Sequence, residues 1–233
     1  MQPWIAKLIT SLPDFIFQPV GGSVINNILK KYADIHVEGL EEIEKIQGPI
    51  IFIGNHLSNS DGLVLDKVLR KKFDPHFIAG VKLSGNAMTN IGMRLIKTIN
   101  IKPNSADKEA LKSIINASKS GTNILMFPEG TRSRDGKMIE AKKGINLIAR
   151  LTKATVVPFG IYGSEKLMPI NKAGNMGQET FCHSKVTLKF GAPVVLPKKD
   201  KEEDRHVYDD KILETYMKSI AILLPEEYRG FYK

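Results

Sequence analysis

Apolar and polar positions follow two different periods along this chain. Over residues 1–20, Trp4, Ile5, Leu8, Ile9, Leu12, Phe15, Ile16 and Val20 recur mostly three or four apart, with only Lys7 and Asp14 charged. That spacing predicts an amphipathic helix. Pro13 and the Gly21-Gly22 pair punctuate it, and a second short helix is expected over Ser23–Tyr32, with Lys30 and Lys31 near its end. From about residue 34 short apolar runs take turns with helical patterns. Strands are expected at Ile50–Gly54, His76–Gly80, Ile99–Ile101, Asn123–Phe127, Thr155–Phe159 and Lys185–Phe190. Between and after them, helices are expected over Asp61–Lys72, on to about Ile96, over Ala106–Ser120 and Ala141–Thr152, and at the end over Asp204–Leu224. Such alternation predicts an α/β fold, a single domain with a mostly parallel central sheet flanked by helices. Residues 1–33 are expected to form an N-terminal amphipathic helical segment that either packs on the body or lies in a membrane interface, and residues 34–233 the main body. Ligands of such sheets bind beyond the carboxyl ends of the strands, so the loops that follow strands are where chemistry is sought.

Composition narrows the partners. The 233 residues are 42% hydrophobic and 25% charged, enough for one substantial core and too short for two full domains. Lys and Arg outnumber Asp and Glu by 34 to 25, a formal charge of +9 that favours an anionic partner. The six tyrosines and ten phenylalanines show no paired stacking pattern, which argues against nucleic acid. Cys182 is the one cysteine, so no internal disulfide forms, no Cys cluster offers a metal site, and a reducing setting is expected. No run of 18 apolar residues predicts a transmembrane helix, and the start does not read as a signal peptide.

Two loops stand out. Asn55-His56-Leu57-Ser58-Asn59-Ser60-Asp61 follows the first strand. In a regular helix His56 and Asp61 would lie about 140° apart, so they meet only if the turn-forming Ser58, Asn59 and Ser60 bend the chain. If they meet, the pair is a general base with its orienting carboxylate. The plainer alternative is a helix-capping Asp61 beside an ordinary loop histidine. The second loop, Phe127-Pro128-Glu129-Gly130-Thr131-Arg132-Ser133-Arg134, also follows a strand. Gly130 permits close backbone approach, Arg132 suits two-pronged contact with a phosphate, and Glu129 can accept a hydrogen bond from a substrate hydroxyl. From Pro128 to Lys153 seven basic residues face three acidic ones; a solvated polar turn is the alternative. A proton acceptor and an anion clamp at one sheet edge fit proton removal from an alcohol that carries a phosphate, and other reactions as well.

These blocks resemble the signature of the glycerolipid acyltransferases, the family of 1-acyl-glycerol-3-phosphate acyltransferase. The match comprises His56 and Asp61 spaced as His-x4-Asp, the run Phe127 to Ser133, the apolar strand Val156-Val157-Pro158-Phe159-Gly160-Ile161-Tyr162-Gly163-Ser164, and Val186-Thr187-Leu188-Lys189-Phe190-Gly191-Ala192-Pro193. In order, they span roughly residues 35 to 195. The resemblance implies that His56 deprotonates a glycerol hydroxyl with Asp61 orienting it. Glu129, Gly130, Thr131 and Arg132 would then bind the acceptor, Arg132 through its phosphate. It implies a lysophospholipid acceptor, acyl-CoA or acyl carrier protein as donor, no metal and no organic cofactor. One departure stands between the main blocks, where the family carries an Arg and this chain has Pro103; Lys102 beside it would supply the positive charge. Attachment to the cytoplasmic face of an anionic membrane, peripheral rather than spanning, follows from a lipid substrate and the apolar N-terminal segment. A lipid hydrolase or remodelling transacylase using the same pair, and a non-catalytic lipid-binding module, are the rival readings.

Overall fold

Ile50–Gly54 is a run of five apolar or small residues, and in the computed structural model all five are buried in a strand, β2. A strand covered on both faces has no solvent side to mark with polar residues, which is why this run does not alternate. The structure describes residues 10–80, 91–92, 94–102, 105, 107–171 and 179–233. Trp4 and the rest of residues 1–9 lie outside them, as does most of the helical stretch expected to reach Ile96.

The remaining strands are β1 (Ala33–Glu38), β3 (His76–Gly80), β4 (Thr98–Ile101), β5 (Ile124–Met126), β6 (Thr155–Tyr162) and β7 (Ser184–Phe190). They form one seven-stranded sheet in the order β1-β7-β6-β2-β5-β3-β4. β2, β3, β4, β5 and β6 run parallel; β7 is antiparallel to β6, and β1 parallel to β7. The expected mostly parallel sheet is therefore present. Helices α1 (Asp14–Tyr32) and α3 (Asp61–Leu69) cover one face, where Phe17, Ile25, Leu29, Val64 and Leu65 pack on Phe52, Leu125, Val157 and Phe159. Helices α4 (Lys108–Lys119), α5 (Gly144–Thr152) and α7 (Arg205–Ala221) cover the other, where Ile114, Ile145, Tyr216 and Met217 pack on Ile51, Ile53, Ile124 and Val156. Successive residues of β2 thus serve opposite cores, as the two-residue period of a strand requires. One-turn helices α2 (Leu40–Ile43) and α6 (Ser164–Leu167) are also present.

Three expectations change. The break expected at Gly21-Gly22 is absent, whereas the chain is non-helical over 11–13 up to Pro13: α1 starts at Asp14 and runs unbroken through Pro19, Gly21 and Gly22. Phe17, Gly21, Ile25 and Leu29 are buried at four-residue spacing, so one continuous stripe faces the core across the supposed break. A Cβ on Gly21 would stand 3.3 Å from both Leu95 and Phe17, so this glycine serves close packing. Burial of the stripe outweighs the roughly 3 kcal/mol that a proline costs inside a helix. The strand β1 was not expected, although Ala33, Ile35 and Val37 alternate with more exposed neighbours. It completes the sheet by pairing with β7 from Ala33–Ser184 to Glu38–Lys189. β6 continues to Tyr162 rather than stopping at Phe159, because Phe159–Tyr162 is where β7 pairs.

The end of β2 has no room to spare. A Cβ on Gly54 would lie 2.2 Å from the ring of Phe159 on β6. Gly54→Ala should destabilise the fold by about 1–3 kcal/mol, the usual cost of overpacking, measured as a lower midpoint in urea unfolding. An unchanged midpoint would show that the Phe159 ring yields freely.

Candidate active site

Beyond Gly54 the chain leaves β2 but stays tied to β6. The buried Asn55 donates from Nδ2 to the carbonyl of Ile161 (2.8 Å) and accepts the amide of Ile161 on Oδ1 (2.9 Å). Its side chain so extends the ladder past the strand's end, and the next residue, His56, emerges at the sheet's carboxyl edge. The following turn brings His56 and Asp61 together, with Nδ1 2.8 Å from Oδ2. The same Oδ2 accepts the amides of Leu57 (2.7 Å) and Ser58 (2.9 Å). Asp61 is the first residue of α3, yet the amides it binds precede the helix, so it closes the His56 turn and does not cap α3. Its side chain is fully buried while the imidazole remains 21% exposed. Oδ2 already accepts two amides, so it accepts a third hydrogen bond from Nδ1–H, the tautomer that leaves the lone pair on Nε2.

The second loop grips His56 from three sides. The amide of His56 donates to Glu129 Oε1 (3.1 Å), and its carbonyl accepts from the amide of Ser133 (2.8 Å). The ring of Phe127 lies against the imidazole at 4.1 Å between centroids and 10° between planes. Sequence reasoning placed Glu129 toward substrate. The structure buries it and gives its other oxygen, Oε2, to the amide of Ile139 (3.0 Å), so it braces loop to loop. Arg132 already holds an anion: Nη1 donates to both oxygens of Glu179 at 3.0 Å, and Asn59 Nδ2 reaches Glu179 Oε2 at 2.6 Å. Gly130 and Thr131 are exposed, with Gly130 at φ +70°. Lys102 is exposed just past β4, whose place in the sheet is three strands from β2, roughly 14 Å at ordinary strand spacing. Among the described residues no cluster of His, Cys, Asp and Glu could hold a metal ion.

A family model described as Acyltransferase matches residues 34–162, more than half of the chain and the part that carries every group above except Glu179. The chain belongs to the Acyltransferase family. It is 31% identical over 142 residues to 1-acyl-sn-glycerol-3-phosphate acyltransferase LPAT1, chloroplastic, of Arabidopsis thaliana, covering 60% of this chain and 39% of that one. It is 30% identical over 166 residues to the BAT2 enzyme of the same description from Brassica napus, covering 70% and 46%. The chain thus spans less than half the length of these two relatives. The crystal structure of the 1-acyl-sn-glycerophosphate acyltransferase PlsC from Thermotoga maritima is similar with a TM-score of 0.57 and 26% identity, covering 90% of this chain and 84% of that one.

Within this acyltransferase-family site, Phe127, Asn59 and Glu179 are the residues that sequence reasoning missed. Phe127 was quoted for the motif and given no role, although an aromatic at the end of a neighbouring strand is well placed to stack on a loop ring. Glu179 left no signal, since nothing in its polar surroundings ties it to loops some 50 and 120 positions earlier.

Burial raises the Glu129 carboxyl from 4.5 to about 7, outweighing the amides of Ile139 and His56 that favour the charged form; the charges of Asp61 and Asp135 push it further up. Between those two values the folded protein holds a proton that the unfolded chain has released. Stability therefore falls as pH rises through this window, by up to about 3 kcal/mol. Glu129→Gln removes the titration and loses one acceptor. In urea unfolding, wild type should lead the variant clearly near pH 5, and the lead should shrink by pH 8. A gap independent of pH would mean that Glu129 does not titrate there.

Proposed function

We propose that this acyltransferase-family chain transfers a fatty acyl group from an acyl thioester to the free hydroxyl of a lysophosphatidate-like glycerol-phosphate lipid. The observation that carries the reading is the 2.8 Å His56–Asp61 contact, with the carboxylate fixed by two further amides. His56 Nε2 removes the proton of the acceptor hydroxyl, and the oxygen attacks the thioester carbonyl. The tetrahedral adduct collapses, the carbon–sulfur bond breaks, and His56 returns its proton to the departing thiolate. Asp61 stabilises the imidazolium between these steps. No covalent acyl-enzyme, metal or organic cofactor is part of this scheme. The acceptor's phosphate is read by Arg132, with Gly130 and Thr131 lining its approach. Acyl-CoA and acyl carrier protein are both anionic donors that suit a chain of charge +9.

The acceptor and the product of such a reaction dwell in a lipid surface, and α1 supports the same location. While Phe17, Ile25 and Leu29 pack inward, Phe15 is 79% exposed and Ile16 and Val20 are more than a third exposed. Among the described residues no helix is long and apolar enough to cross a membrane. We place the N-terminal segment, residues 1–33, in the interface of a cytoplasmic membrane face, its outer apolar residues in the lipid and Lys30 and Lys31 near anionic headgroups.

His56→Ala should lower turnover by roughly 10²–10⁴-fold with the fold intact, and Asp61→Asn by a similar order. The readout is thiol release from acyl-CoA, which should depend on added lysophosphatidate. Near-normal turnover by folded His56→Ala would end the mechanism, and acceptor-independent thiol release would favour a hydrolase.

For the membrane, the triple change Phe15→Ser, Ile16→Ser and Val20→Ser should reduce co-sedimentation with anionic vesicles several-fold, since each exchange removes roughly 1–2 kcal/mol of apolar burial. Unchanged binding would mean that this face of α1 is not the anchor.

A further inference from the structure

The anion seated on Arg132 comes from the chain itself. Glu179 precedes β7, far in sequence from both signature loops, and its side chain is only 1% exposed. Both of its oxygens lie 3.0 Å from Arg132 Nη1, and Oε2 is also 2.6 Å from Asn59 Nδ2. A guanidinium and an amide so aimed at two oxygens are the donor set that would take two oxygens of a phosphate. Their positions match that use. Asn59 belongs to the turn between His56 and Asp61, and Arg132 to the loop that grips His56, so the seat lies between the two loops that build the dyad.

We propose that Glu179 is an internal occupant of the acceptor-phosphate seat, displaced when a phosphate-bearing acceptor binds. The inference rests on the reading of Arg132 as the phosphate ligand. An empty Arg132 would be a half-buried cation without a partner, a costly state that Glu179 relieves. The displacement sets a threshold. A phosphate monoester carries about −1.5 to −2 near neutral pH, so it replaces a single carboxylate charge with a larger one on the same donors. A phosphodiester carries about one charge and exchanges like for like, so it gains little from the swap. Glu179 therefore sets a cost that every phosphate acceptor must overcome, and a monoester such as lysophosphatidate, with its larger charge, overcomes it by more than a headgroup whose phosphate is already substituted.

The test measures binding of glycerol 3-phosphate, a monoester, and glycerophosphocholine, a diester, to the full chain by calorimetry. Removing the competing carboxylate in Glu179→Gln should tighten both, by roughly ten-fold or more if one charge-assisted contact no longer has to be broken. The ratio of the two affinities should stay the same, because the competing contact is lost for both, while Arg132→Ala should weaken both probes. If Arg132→Ala weakens binding but Glu179→Gln leaves it unchanged or weaker, Glu179 is a brace and this inference fails while the phosphate reading of Arg132 stands. If Arg132→Ala changes neither probe, the phosphate reading fails and takes the inference with it. Should Glu179→Gln not fold, Glu179→Asp keeps the charge but withdraws it by one methylene, and a gain in monoester affinity there decides the same question.

Discussion

The proposed chemistry depends on His56 being held by a loop that begins more than seventy residues later. Its amide rests on the Glu129 carboxylate, its carbonyl on the Ser133 amide, and its ring against Phe127. Only the contact with Asp61 is local. A loop residue with its own backbone groups unpaired would sample many orientations, and a general base a fraction of an ångström out of place loses much of its effect. The sheet order supplies the proximity. β2 and β5 are neighbours and parallel, with Ile51 opposite Ile124 and Ile53 opposite Met126, so both chains leave the sheet at one edge. The core that covers β2 on both faces is therefore a condition of the chemistry, and the tight fit of Gly54 under Phe159 sets where the turn begins.

The same constraint explains what could and could not be read from the sequence. The buried strands were legible because apolar runs such as Ile50–Gly54 have few other uses, and His56 and Asp61 were legible because three of the four residues between them, Ser58, Asn59 and Ser60, are turn formers. The direction of Glu129 was not. Motif position suggested a substrate-facing carboxylate, but its neighbours are backbone amides of His56 and Ile139, which look alike in every sequence. β1 was passed over although Ala33, Ile35 and Val37 have the alternation of a half-covered edge strand. The Gly21-Gly22 pair was taken as a break because local propensity was weighed without the stripe of Phe17, Ile25 and Leu29 that carries the helix through. Tertiary contacts decided each of these cases.

The N-terminal helix joins the membrane question to the body's own core. Arg94 fixes its start, donating to the carbonyls of Thr10 (2.6 Å) and Leu12 (2.7 Å), pairing with Asp14, and lying 4.2 Å over the ring of Phe17. Its far end leads directly into β1, whose first residue, Ala33, pairs with Ser184. Since β1 and β7 run opposite to β2, that end of α1 lies at the carboxyl edge of β2, the edge where His56 emerges. A helix clamped at its start and continuous with an edge strand at its end cannot swing independently. If its outer residues sit in lipid, the sheet edge with the dyad is held at a set attitude to the surface, and the reach of an acceptor from its bilayer to His56 becomes a property of the fold.

Two carboxyl groups share the surroundings of His56, and their settings differ. Asp61 gathers the imidazole and two amides on a single oxygen, which fixes where its charge acts, on the Nδ1 side of the ring. Glu129 spreads its contacts over two oxygens and is pushed up to about 7, with the charge of Asp61 among the causes. A second full negative charge beside Asp61 would repel the first across a weakly screened interior. A Glu129 that is neutral part of the time supports the backbone of His56 while adding less to that repulsion. Separate environments for neighbouring carboxyls thus suit the proposed roles, one as the electrostatic partner and the other as scaffold. The buried position of Glu129, costly for a charge, is what makes that division workable.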